Sequence, residues 1–244
     1  ASNLFNDGDS PLPENASCHY VSTFNGTSSA APSVSASLAL IYEANPELSY
    51  RDVKNIIATT SRKVDANFGS ESVDNIVYYQ WVTNGAGFNH HNWYGFGAID
   101  TDAAVVMAKN YSADTLGEQT ITPWEDNEEQ LDTTVPEMTE RTYSISNEAG
   151  GKIELVRLKI DFSIEKPEGL GIRLESPLGT VSTLLQPNST FTVNPNGAVY
   201  LASAAFYGED SSGTWKLKLF DHLDDGSELE LRSWALKFFQ HDGD

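Results

Sequence analysis

Ser28 is the side chain in this sequence whose type and neighbours could do covalent chemistry. It stands in Gly26-Thr27-Ser28-Ser29-Ala30-Ala31-Pro32. The residues that follow, Val34 to Ala44, place Leu38, Ile41 and Tyr42 at helical spacing, and Asn45-Pro46 ends the run. A glycine permits a tight turn into a helix, and the first turn of a helix has N–H groups without intrahelical partners. Such groups can face a developing oxyanion, so the chemistry expected is nucleophilic attack on a carbonyl, with the serine's own backbone N–H helping to hold the charge. Pro32 is expected in the first turn, where its missing N–H is harmless. The helix itself is expected to be buried.

A serine nucleophile needs a base, and the candidates are His19, His90, His91, His222 and His241. His19 lies on the segment leading into the serine turn. His90 and His91 follow Asn84-Gly85-Ala86-Gly87-Phe88-Asn89, which reads as a surface turn. Each histidine reads as solvent-exposed or structural, and His90-His91 have too few ligand-type neighbours for a metal pair. Clustered carboxylates suit calcium, and two stretches qualify: Asp221, Asp224 and Asp225 with Glu228, then Glu125 to Asp132. Neither has EF-hand spacing, and solvated acidic turns are the plainer reading. The single cysteine, Cys18, can be a free buried thiol.

The elements that position these residues fall into two regimes. Up to about residue 112 the periodicity is helical, over Ser28 to Ala44, Tyr50 to Ser61 and Asp100 to Asn110. Ser49 and Asp52 form a capping-box variant ahead of Val53, Ile56 and Ile57. From Asp114 to Gly150 there are ten acidic residues and one basic, Arg141, which marks residues 113–150 as an acidic linker or outer edge leading into the next domain. Beyond Gly150 the period becomes two. Val156, Leu158, Ile160, Phe162 and Ile164 alternate with polar residues, Leu170, Ile172 and Leu174 repeat the pattern, and Trp215 and Trp234 fall in phase with apolar neighbours. Residues 151–244 therefore read as a β-sandwich.

Composition narrows the function classes. A chain of 244 residues with 39% hydrophobic content can bury a sizeable core in one large or two ordinary domains. Its formal net charge of −20 argues against nucleic acid or an anionic membrane as partner. No apolar run reaches membrane-spanning length. Sequons occur at Asn15, Asn25, Asn110 and Asn188; a glycan at Asn25 would obstruct Ser28, which points to a bacterial source.

The segment around Ser28 resembles the nucleophile segment of the subtilisin-like serine proteases. Ala44-Asn45-Pro46-Glu47-Leu48-Ser49-Tyr50-Arg51-Asp52-Val53 and Tyr94-Gly95-Phe96-Gly97-Ala98-Ile99-Asp100 are similar to stretches of the kexin and furin branch. Residues 1–112 would then be the C-terminal portion of a subtilisin-like α/β catalytic domain. Three later segments resemble the P domain, also called P/Homo B, of that branch: Leu174 to Thr180, Gly213 to Leu217 and Leu231 to Leu236. The resemblance implies a jelly-roll β-sandwich needed for folding or stability of the protease.

It further implies a secreted or periplasmic serine endopeptidase acting on polypeptides through an acyl-enzyme on Ser28. A preference for basic P1 residues is implied too, as is structural calcium whose ligands lie mostly upstream. In this family the catalytic Asp and His and the oxyanion Asn all precede the serine, and only 27 residues do so here. The chain is thus expected to be inactive alone and to need the N-terminal part of the same protease as its partner. By the same analogy Cys18 would pair with an upstream cysteine. The competing reading is a non-catalytic stabilising or binding module. A row of exposed aromatics on one sandwich face would favour a sugar binder, whereas Trp215 and Trp234 read as core.

Overall fold

The structure, a computed structural model, describes residues 26–126, 133–188 and 197–242. Helix α1 spans Thr27–Ala44 and begins at Gly26, whose φ of 95° favours glycine. With the helix starting at Thr27, Pro32 falls in the second turn rather than the first. It removes the bond that residue 32 would donate to the Ser28 carbonyl, a defect that ordinarily costs about 3 kcal/mol. The helix is also not buried within the described chain: of its eighteen residues only Ser37 and Ile41 are. Between Thr27 and Tyr42 no residue is charged. Such a helix is of the kind buried on all sides in a larger core, and the described residues cover it on one side only.

Helix α2 (Tyr50–Thr60) opens with the capping box expected: the Asp52 N–H donates to Ser49 Oγ at 3.2 Å and the Ser49 N–H to Asp52 Oδ2 at 2.9 Å. Two short hairpins follow, β1 (Glu71–Val73) with β2 (Ile76–Tyr79), then β3 (Val82–Thr83) with β4 (Asn89–His90). Helix α3 (Thr101–Asn110) is capped by Asp100, which accepts the Ala103 N–H at 3.0 Å. Just ahead of it, Gly97 has φ 119°, and a Cβ there would sit 2.2 Å from the Arg62 carbonyl oxygen. Only glycine lets the chain run against Arg62 and form the Arg62–Ala98 bridge. The three helices share a small core of Ile41, Leu48, Val53, Ile56, Ala104 and Ala108.

The remaining strands form the sandwich. They are β5 (Gln119–Ile121), β6 (Glu125–Asp126), β7 (Thr133–Val135), β8 (Glu140–Asn147), β9 (Lys152–Ser163), β10 (Leu170–Glu175), β11 (Val181–Leu185), β12 (Gly197–Ser203), β13 (Gly213–Asp221) and β14 (Leu229–His241). One sheet has the order β11-β10-β13-β8; the other runs β12-β9-β14, with β5, β6 and β7 all pairing along the free side of β14. Every pairing is antiparallel. The acidic stretch thus supplies edge strands of both sheets. Alternation puts Val156, Leu158, Ile160 and Phe162 inside, facing Ile172, Leu174, Leu217 and Leu219, with Trp215 and Trp234 fully enclosed.

Candidate active site

Ser28 is the second residue of α1 and is exposed. The geometry follows from Gly26, whose carbonyl accepts the Ser29 N–H at 3.1 Å, the Ala30 N–H at 3.3 Å and the Ser29 hydroxyl at 2.7 Å. Ser29 is therefore tied into the turn. Ser28 Oγ has no hydrogen-bond partner among the described residues. Its N–H lies in the first turn, where helical N–H groups have no internal acceptor, and the helix dipole adds positive potential there. An exposed hydroxyl beside such a donor can attack a carbonyl and help hold the oxyanion it creates.

No described histidine is hydrogen-bonded to Ser28, and each is engaged elsewhere. His90 stands edge-on to Phe96 with ring centroids 5.7 Å apart, and burial lowers its pKa to about 4. His91 is fully buried among Phe68, Tyr79, Trp81, Trp93 and Tyr94, and its Nδ1 accepts the Trp93 N–H at 3.0 Å. His222 bridges Tyr78 and Asp74, and His241 meets Glu154. All four are structural rather than catalytic in placement. His19, Cys18, Asn15 and Asn25 lie outside the described residues.

The acidic turn closes on one of the chain's own carboxylates. The Asp225, Gly226 and Ser227 N–H groups all donate to Glu137 Oε1, at 2.9, 2.6 and 3.0 Å, so this turn is built to hold an anion. Lys166 Nζ stands 3.2 Å from the Asp225 carboxylate. Buried Asp221 accepts the Leu223 N–H, and burial is the main cause raising its pKa. Glu125 and Asp126 form strand β6, while 127–132 lie outside the described residues. Among the described residues no three His, Cys, Asp or Glu side chains converge to hold a metal.

Residues 9–97 match the subtilase family, and residues 153–238 match the proprotein convertase P-domain. The chain belongs to the subtilases that carry a P-domain. It is 30% identical over 240 residues to the Aeromonas extracellular serine protease of Aeromonas sobria, covering 88% of this chain and 38% of that protein. Kexin of Saccharomyces cerevisiae is 27% identical over 222 residues, covering 88% of this chain and 26% of kexin. Among solved structures, the Aeromonas sobria serine protease in complex with the chaperone superposes with a TM-score of 0.80 at 27% identity, over 94% of this chain and 46% of that one. The chain thus spans less than half the length of these relatives.

How the subtilase part joins the P-domain is something the local sequence pattern did not signal. Arg51 on α2 makes a two-pronged contact with Glu154 on β9, Nη2 to Oε1 at 2.5 Å and Nε to Oε2 at 3.1 Å. Lys54 Nζ donates to the Glu154 carbonyl, Gln119 Nε2 to Oε2, and His241 Nδ1 lies 3.0 Å from Oε1. Burial alone would raise the Glu154 pKa; hydrogen bonds from His241 and Arg51, with their charges, outweigh it and bring the group to about 2.

The Asn84–Asn89 loop is the surface turn expected, with Gly85, Ala86 and Gly87 exposed, but its base is anchored in the sandwich. Buried Asn84 donates through Nδ2 to the Ala205 and Tyr207 carbonyls, both at 2.9 Å, and the Gly85 N–H donates to Glu209 Oε1 at 2.7 Å. A third contact sets Tyr78 Oη 2.5 Å from His222 Nε2, with Asp74 2.7 Å from His222 Nδ1. All three contacts set hydrogen-bonded polar or charged groups between the two parts, and such directional contacts favour one relative orientation.

Proposed function

We propose that this chain is the nucleophile-bearing portion of a secreted serine endopeptidase. Ser28 attacks the scissile carbonyl, its N–H helps hold the oxyanion, and an acyl-enzyme on Ser28 is then hydrolysed. The observation that carries the reading is the exposed Ser28 hydroxyl, without a hydrogen-bond partner among the described residues, at the start of a helix uncharged from Thr27 to Tyr42, within a subtilase match. The general base, the aspartate that orients it and an oxyanion asparagine come, in this reading, from a preceding part of the same protease, which also covers the bare sides of α1. The chain alone is then inactive. The P-domain, of jelly-roll type, stabilises the arrangement through the Arg51–Glu154 junction. Calcium, which the family resemblance implies, belongs to the preceding part, and the preference for basic P1 residues is likewise formed there.

The test is hydrolysis of fluorogenic peptides by the protein with its preceding catalytic segment. Substrates with arginine at P1 are expected to exceed those with leucine. Ser28→Ala is expected to lower kcat about a million-fold, the magnitude known for the nucleophile of subtilisin, a relative. Retained turnover in a folded Ser28→Ala protein removes Ser28 from the mechanism.

A further inference from the structure

The outer face of the six-stranded sheet carries a cationic and aromatic cluster that the protease reading does not use. Because Val156, Leu158, Ile160 and Phe162 point into the core, Arg157, Lys159 and Asp161 point out. Register then sets the neighbours: Tyr200, Lys159 and Ala235 form one cross-strand row, and Ala202, Arg157 and Lys237 the next. The rows are about 7 Å apart and adjacent strands about 5 Å, so three cations fall within one sugar's reach of each other.

Arg157 and Lys237 are directly opposed like charges, an arrangement that destabilises a sheet. Lys237 is partly compensated by Trp124, whose ring centroid lies 4.8 Å from Nζ. Neither Arg157 nor Lys159 has an acidic partner among the described residues. The nearest outward carboxylate on β9, Asp161, is taken by Arg232 at 3.1 Å, and Asp126 stands beyond Ala235, two strands from Lys159. In a chain of net charge −20, whose other cations include the paired Arg51, Lys166, Arg173, Lys216 and Lys218, this is a local inversion of sign. Beside it, Trp124 and Tyr200 have centroids 5.9 Å apart, inclined at 52°. Tyr200 is 53% exposed and flanked along β12 by the small, exposed Ala198 and Ala202.

We propose that this face binds an anionic oligosaccharide, its carboxylate or sulfate groups held by Arg157, Lys159 and Lys237 and a sugar ring laid against Trp124 and Tyr200. Paired cations with flanking aromatic faces match a ligand that alternates charge with apolar C–H faces. The molecule's overall acidity repels a long, dense polyanion such as nucleic acid. A short glycan meets mainly the local field, since charges beyond about 10 Å are screened at ordinary ionic strength.

The experiment is titration calorimetry of the protein at about 0.1 M salt with a heparin-derived hexasaccharide, an oligogalacturonate and neutral maltohexaose. At least one charged probe is expected to bind, with maltohexaose at least about tenfold weaker. The pair Arg157→Ser with Lys237→Ser is expected to weaken that binding about tenfold or more, Arg157→Lys to retain most of it, and Trp124→Ala to weaken it several-fold. Tyr200→Ala serves in place of Trp124→Ala should the latter lower Tm. The proposal fails if neither charged probe binds, if maltohexaose binds equally well, or if folded charge variants bind unchanged. Loss on charge removal with no effect of either aromatic variant marks a bare anion site and overturns the glycan assignment. None of these outcomes depends on whether Ser28 is a nucleophile.

Discussion

Inside the sandwich, Trp215, Trp234, Phe162, Phe206 and Phe238 are each at most 1% exposed, whereas on helices α1 and α3 Leu40 and Val106 are 54% and 61% exposed. The sandwich closes its own core from two sheets. The three helices share a few small and medium side chains and leave the rest of α1 without cover in the described chain. One part can therefore supply its own folding energy, while the other borrows order through α2 and the Arg51–Glu154 contact. That asymmetry fits the role proposed for Ser28 on α1, whose exposed sides are covered in that reading by a preceding part of the protease.

The comparison breaks first if the sandwich core proves dispensable. Trp215→Ala is expected to cost about 3–5 kcal/mol in urea unfolding, since it empties the centre of the sandwich and leaves the Ser211 carbonyl without its indole donor at 2.8 Å. A loss below about 1 kcal/mol would place the core elsewhere.

Arg51→Ala is next, at about 3 kcal/mol, because Glu154 stays buried with its main counter-ion gone. Adding Glu154→Gln should recover part of that loss, and a purely additive double mutant would show the pair to be uncoupled.

Acid should act on the same junction. Glu154 is held at about 2, below its ordinary 4.5, so its contribution, about 3 kcal/mol, is full above pH 4.5 and is lost as pH falls toward 2. His90, lowered to about 4 by burial, takes up its proton later than in the unfolded chain, so its share is lost as pH falls from 6.5 to 4. Unfolding free energy is expected to fall steadily below pH 6.5, and Glu154→Gln to flatten the part below 4.5.

Ser49→Ala, which removes one half of the capping box, should cost about 1 kcal/mol. At the small end, Leu40→Ser and Val106→Ser should change the stability of this chain by no more than about 0.5 kcal/mol, given their exposure. In the protein with its preceding segment, Leu40→Ser is expected to cost more, and an equal small effect in both would mean that nothing packs on that side of α1.

Much of the fold was legible because its causes are local. The alternation of Val156 to Phe162 determines β9, the Ser49/Asp52 pair starts α2, and Asn45-Pro46 stops α1 at Ala44. The place of Ser28 at the start of α1 was legible for the same reason, since a glycine turn into a helix needs only neighbouring residues. Pro32 was misplaced by one turn because the helix start depends on the Gly26 backbone and not on the proline. The Asn84 loop was legible as a surface turn but its buried anchor was not, because the acceptors of Asn84, the Ala205 and Tyr207 carbonyls, come from more than a hundred residues away. Glu154 carried no signal in the sequence, because Arg51 is 103 positions off and no periodicity links them.

The most direct measurement is labelling with a fluorophosphonate probe, read by intact and peptide mass. The protein with its preceding segment should take up one label, on Ser28, and this chain alone none. Ser28→Ala should abolish the label while the protein remains folded. Labelling at another residue, or undiminished labelling of the folded Ser28→Ala protein, would contradict the assignment of Ser28 as the nucleophile.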